Sequence, residues 1–179
     1  MEDEILSNAE RLGRTYFFAF IDDDLDWDSV LAATQAHLTR DPHNRFALHN
    51  RAQAMFGRED FVEAERLFRA SLNEGWDEAM PYYAFGQFLS LRKRPRDASD
   101  MFAHALRFEP DDAALWRCLA YAHSESWRFG QAAEAFTRAI VLEPDFARTL
   151  ADRGWAYAAS GRLVAAFRDW SEAARLRKA

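Results

Sequence analysis

The chain has a single cysteine, Cys118, so no internal disulfide can form, and nothing in the composition calls for an oxidising compartment. Glycine (7) and proline (5) are scarce, which leaves too few chain breaks for a turn-rich all-β fold. No apolar run approaches the roughly 18 residues that cross a bilayer, so no membrane span is expected. The opening MEDEILSNAE is acidic where a secretory signal is basic and then apolar, so a cytoplasmic protein is expected. There is no glycine-rich phosphate loop, no Walker lysine and no nucleophile elbow. The five histidines (His37, His43, His49, His104 and His123) are scattered, with no His-x-x-x-His on one face and no cysteine at zinc spacing. No cofactor, no metal and no catalysis are expected.

What is present is apolar surface. Hydrophobic residues make up 49% of the 179 and aromatics 15%, enough to bury a sizeable core. The net charge of −6 is unevenly placed. Residues 1–44 carry ten acids against three arginines, whereas residues 45–179 carry nineteen acids against twenty bases. With the body near neutral, no basic face points to a nucleic acid.

Self-comparison reveals a repeat of 34 residues. Glu109-Pro110-Asp111 recurs as Glu143-Pro144-Asp145, and Asp41-Pro42 closes an earlier unit. Ala-x-x-x-aromatic occurs at Ala64/Phe68, Ala98/Phe102, Ala132/Phe136 and Ala166/Trp170. A third column, Ala52, Gly86, Ala120 and Gly154, is small at every step. These columns resemble the tetratricopeptide-repeat (TPR) family, and the clearest copy runs Trp116, Leu119, Ala120, His123, Ala132, Phe136, Ala139 and Pro144. The resemblance implies an all-α fold, a right-handed TPR superhelix of about five helical hairpins with the first one degenerate. The expected organisation is a degenerate hairpin with an acidic loop at 1–44, then four units at 45–78, 79–112, 113–146 and 147–179.

Helix geometry explains why the pattern takes this form. Each unit carries two apolar stripes at helical spacing, separated by a short polar break such as Gly57-Arg58-Glu59-Asp60. The small column lets paired helices approach, the aromatic column fills the space beside it, and the closing proline ends the second helix. Pro95 is tolerated because it opens a helix. The spacing predicts helices at 3–19, 27–39, 45–56, 60–73, 79–91, 95–108, 113–125, 129–142, 147–159 and 163–177.

In the TPR family the first helix of each hairpin lines a concave surface where ligands lie. Carried onto this chain, that face gives a peptide-binding groove of His49, Asn50, Gln53, Tyr83, Gln87, Arg117, Tyr121, Arg148, Asp152 and Trp155. These positions fall opposite the packing stripe, yet several are large and amphipathic, as binding anchors are. Arg117 and Arg148 would meet acidic groups of a bound peptide. The family's clamp for chaperone tails is not supported, since the columns hold no lysine and Asn50 alone fits. A second candidate surface is an apolar end, at Leu163 and Phe167 or at Phe17, Phe18 and Phe20, which self-association or a partner would cover.

The expected function is a scaffold or adaptor that holds a protein or peptide in the groove. The alternative is a dedicated chaperone of a bacterial secretion system, similar in size, acidity and architecture. A remote alternative is a metal-dependent enzyme using the acidic run Asp22-Asp23-Asp24-Leu25-Asp26-Trp27-Asp28. That run departs from a calcium loop, because Trp27 stands where the turn glycine belongs and Ala33 where the bidentate acid belongs. Helix capping by Asp26 or Asp28 is the simpler reading.

Overall fold

The computed structural model describes residues 26–144 and 147–178. Among them are nine helices and no strand. The chain divides into two compact units, one ending at Ala84 and the other beginning at Phe85. The first holds α1 (Trp27–Arg40), α2 (Arg45–Gly57), α3 (Phe61–Asn73) and the start of α4 (Met80–Leu91). The second holds the rest of α4, then α5 (Pro95–Ala105), α6 (Ala113–Glu125), α7 (Phe129–Leu142), α8 (Ala147–Ala159) and α9 (Leu163–Leu176). In the first unit α1 packs on α2 and α2 on α3; in the second, α5 through α9 each pack on the next.

These bounds follow the spacing read from sequence, with one exception. Helix α5 ends at Ala105, short of the expected 108. The amides of Arg107 and Phe108 bond three residues back, to His104 and Ala105, so the last turn tightens and leaves the α-helical path. The helix expected at 3–19 lies outside the described residues.

Five of the helix starts have a visible local cause. Asp26 caps α1, accepting from the amides of Asp28 (3.1 Å) and Ser29 (3.3 Å). Asn44 caps α2 through the Ala47 amide (2.9 Å), Asp60 caps α3 through Glu63 (3.2 Å), and Asp112 caps α6 through Ala114 (2.7 Å) and Leu115 (3.0 Å). A cap of this kind is worth about 1 kcal/mol, because it satisfies an amide with no partner inside the helix. Pro95 occupies the first turn of α5, where the absent N–H costs nothing.

The turn within each hairpin repeats with the same 34-residue register. Glu59, Lys93, Trp127 and Gly161 all sit in the left-handed region, with φ between 58° and 80°. The following amide reaches five residues back: Asp60 to Met55 (2.9 Å), Arg94 to Leu89 (2.9 Å), Arg128 to His123 (2.8 Å) and Arg162 to Tyr157 (2.8 Å). This is the Schellman closure, and it turns the chain sharply enough for the second helix to lie back on the first. Only the last copy uses glycine.

The aligned columns meet in the core. Ala64, Ala98, Ala132 and Ala166 are fully buried, and so are Phe68, Phe102 and Phe136. The small column is required by contact. A Cβ built on Gly86 would come within 2.7 Å of the Phe102 ring, and one on Gly154 within 2.5 Å of Trp170 Nε1. Each glycine is therefore the seat of the aromatic side chain from the partner helix.

Trp76 departs from the repeat. It stands in register with Pro42, Pro110 and Pro144, and Gly75 (φ 79°) follows α3 in its stead. The freed indole folds back onto the first unit. Its ring meets Phe46 edge-on at 4.9 Å and His49 at 5.9 Å, its N–H donates to the Ser71 carbonyl at 3.0 Å, and the Arg45 guanidinium lies over it at 4.9 Å.

Candidate functional site

The second unit gathers five of the ten groove residues on α6 and α8. Arg117 and Tyr121 stand one turn apart on α6, and Arg148, Asp152 and Trp155 follow at helical spacing on α8. The Tyr121 hydroxyl donates to Asp152 Oδ2 and ties the two helices together. Its ring packs edge-on against Phe136 at 5.3 Å. Partial burial, together with the hydrogen bond to the Asp152 carboxylate, pushes the phenol up to about 12. At neutral pH it is a fixed donor.

The two arginines differ in how tightly they are held. Arg117 Nη1 lies 2.5 Å from Glu143 Oε2 and its side chain is mostly covered. Arg148 reaches Asp152 only at 3.8 Å, and its side chain is 74% exposed. Arg148 also bonds the Tyr121 hydroxyl, but contacts of so exposed a side chain are worth little in water. Trp155 is 68% exposed and leans edge-on against Trp170 at 5.1 Å. Trp170 is itself anchored by its N–H to the Ala151 carbonyl (3.2 Å), so the exposed indole stands on a rigid base. The surface thus offers a large apolar plate and a loosely paired cation within two turns of α8, beside a tyrosine–carboxylate pair that joins α8 to α6.

The first unit does not display its share. His49 is 2% exposed, and Asn50 and Gln53 are also buried, which corrects the expectation that the core does not need these positions. His49 packs edge-on against Phe68 (5.6 Å) and Trp76, and burial pushes its imidazole down to about 4. Neutral at ordinary pH, its Nε2 accepts from the Gln53 amide nitrogen at 2.8 Å. At His49 the physical reason is Trp76: the bulky replacement for the terminating proline packs against Phe46 and His49 on α2. The missed signal was legible, since a tryptophan in a proline column is a break in the repeat. Tyr83 and Gln87 are half-buried on α4, and the division between the two units falls between them. Glu143, the partner of Arg117, was also missed, because it belongs to the loop after a second helix.

The end residues Leu163 and Phe167 are exposed, with Val164 beside them. Phe17, Phe18 and Phe20 lie outside the described residues, as do Asp22, Asp23, Asp24 and Leu25. Of the acidic run, Asp26 is the α1 cap and Asp28 pairs with Arg58. Among the described residues no cluster of His, Cys, Asp and Glu is arranged to hold a metal ion. No described helix is long and apolar enough to cross a membrane. Cys118 is half-buried and in no disulfide.

No known family profile matches the chain. Among curated proteins it is 29% identical over 119 residues to a peroxisomal targeting signal receptor of Candida albicans. That match covers 66% of this chain but 19% of the relative, so the chain spans about a fifth of that protein's length. Among solved structures it resembles YrrB, described as a TPR protein with an unusual peptide-binding site, with a TM-score of 0.80 and 17% identity over 97% of this chain and 85% of YrrB. It likewise resembles MamA, with a TM-score of 0.75 and 20% identity over 86% of this chain and 90% of MamA. At such identities the likeness is one of architecture, and the architecture of this chain is the all-α tetratricopeptide-repeat fold.

Proposed function

We propose that the chain is a non-catalytic, cytoplasmic interaction scaffold that binds a peptide or protein segment on the α6/α8 face of its second unit. One observation carries this reading: Trp155 is 68% exposed on a rigid base beside the loosely paired Arg148. Leaving a tryptophan in water forgoes burial worth roughly 2 kcal/mol or more, and tryptophan and arginine are the residues enriched where interfaces concentrate their energy. The fitting ligand is a segment with an apolar or aromatic residue for Trp155 and a carboxylate for Arg148, displayed by an extended or helical backbone. The peptide-binding site named for YrrB supports the class of ligand, though not its position. A dedicated chaperone of a bacterial secretion system is a special case of this role, for which only size, acidity and architecture speak. The exposed Leu163 and Phe167 on α9 are proposed as a second contact, for self-association.

The test compares pull-downs by the full chain and by Trp155→Ala and Arg148→Glu variants, each checked by thermal melting. Loss of one prey with the melt unchanged supports the reading. Identical prey lists from well-folded variants reject it. For the α9 contact, light scattering that shows a strict monomer at high concentration rejects self-association.

A further inference from the structure

The near-neutral balance of the body conceals a segregation inside the second unit. The hairpin-turn segments 91–97, 125–130 and 159–164 carry Arg92, Lys93, Arg94, Arg96, Arg128 and Arg162 against Asp97 and Glu125. The loops joining one hairpin to the next, 106–112 and 142–144, carry Glu109, Asp111, Asp112 and Glu143 against Arg107. Because successive helices run antiparallel, the turns fall on one edge of the unit and the joining loops on the other. Contacts confirm the first step: Arg128 Nη2 donates to Ser99 Oγ (2.9 Å), which donates to the Arg96 carbonyl (2.6 Å). Asp97 is engaged by Arg94 at 2.5 Å, and Glu125 is exposed at the end of α6.

The basic edge also carries apolar residues that stay largely in water, although the Trp127 ring meets Phe129 edge-on at 5.8 Å. Trp127 is 82% exposed in the left-handed turn position, where an indole gains nothing from the backbone. Leu91 and Val164 are exposed on the neighbouring turns. Val164 shares an open surface pocket with Gly161, Arg162, Leu163 and Arg168, whereas Trp127 and Leu91 project from their own turns. Indole and aliphatic tips interleaved with cations suit a flat, deformable, negatively charged boundary, because tryptophan settles at the level of lipid headgroups while lysine and arginine meet phosphates.

We propose that the hairpin-turn edge of the second unit docks peripherally on an anionic phospholipid surface, with Trp127 entering the headgroup layer and Lys93, Arg96 and Arg162 facing its phosphates. The acidic loops on the opposite edge are repelled by the same surface, so the docked unit has one favoured orientation. This proposal does not rest on the α6/α8 site.

The experiment is co-sedimentation of the full chain with phosphatidylcholine vesicles and with vesicles in which a third of the lipid is phosphatidylglycerol. Expected is binding to the anionic vesicles only, reversed by raising salt. Lys93→Glu with Arg96→Glu should weaken it by roughly twentyfold or more, since each cation near an anionic membrane contributes about fivefold. Trp127→Gly should also weaken it while leaving the fold intact, because glycine suits that backbone conformation. Trp155→Ala should leave it unchanged. No binding to the anionic vesicles overturns the proposal, as does binding indifferent to both edge variants. Tighter binding to poly-glutamate or to duplex DNA than to the vesicles overturns it in favour of a protein or nucleic-acid partner.

Discussion

Arg153 on α8 grips Asp169 on α9 through two bonds, Nε to Oδ2 at 2.7 Å and Nη2 to Oδ1 at 2.9 Å. The carboxylate is almost wholly buried, and Arg153 also donates to Thr137 Oγ1 on α7 at 3.1 Å. Three helices are thus joined by one guanidinium. Removing the carboxylate leaves that cation buried without its partner. Asp169→Ala is expected to destabilise by about 3–5 kcal/mol. Replacing both members by apolar residues, Arg153→Met with Asp169→Leu, should cost distinctly less. Urea denaturation of the three proteins checks this, and equal losses for single and double variants would refute it.

The left-handed turn residues make a prediction of opposite signs. Lys93→Gly relieves a side chain in a conformation that costs about 1 kcal/mol, so it should stabilise or be neutral after glycine's entropy is counted. Gly161→Ala introduces the same strain and should destabilise by roughly 1 kcal/mol. Thermal melts check this: a lower melting temperature for Lys93→Gly, or an unchanged one for Gly161→Ala, would show that the left-handed turn is not what sets them.

Gly86 and Gly154 are tested by adding volume. A Cβ at either position enters the space of Phe102 or Trp170, so Gly86→Ala and Gly154→Ala are expected to destabilise by about 1–3 kcal/mol despite alanine's higher helix propensity. A stabilised variant would mean that the aromatic rings are not seated on these glycines. Phe102→Ala, which empties the seat from the other side, should cost about 3–5 kcal/mol.

His49 predicts a pH dependence. Its folded-state value, about 4, lies below the ordinary 6.5, so the unfolded chain takes up a proton that the folded chain refuses. The contribution is therefore fully present above 6.5 and is lost progressively as pH falls toward 4. Across that window the loss is on the order of 3 kcal/mol. Stability curves of the wild type and of His49→Phe, measured from pH 7.5 to pH 4.5, should converge as pH falls. A constant difference between them would show that His49 is not buried neutral.

Much of the fold was written in the linear order. The 34-residue recurrence, the small and aromatic columns and the capping residues are local or periodic properties, and the helices they predict match α1 through α9 closely. That Asp26 or Asp28 caps α1 was legible for the same reason, since a cap acts on amides two or three residues away, and the structure selects Asp26. The candidate site was only half legible. Helical spacing told which residues share one side of each first helix, and the structure places Arg117, Tyr121, Arg148, Asp152 and Trp155 on α6 and α8, joined by the Tyr121–Asp152 bond. At His49, Asn50 and Gln53 it misled, because position on a helix says nothing about what folds over it.

By itself, the order of residues determined the helices, their turns and the columns that pair them, because caps, left-handed closures and 3.6-residue stripes act within one or two turns of chain. Tertiary structure alone decided which polar residues are shown to solvent and which, such as His49 against Trp76 and Phe68, are buried. Exposure and charge proximity depend on distances between residues about 30 places apart, and those distances exist only once the helices have packed.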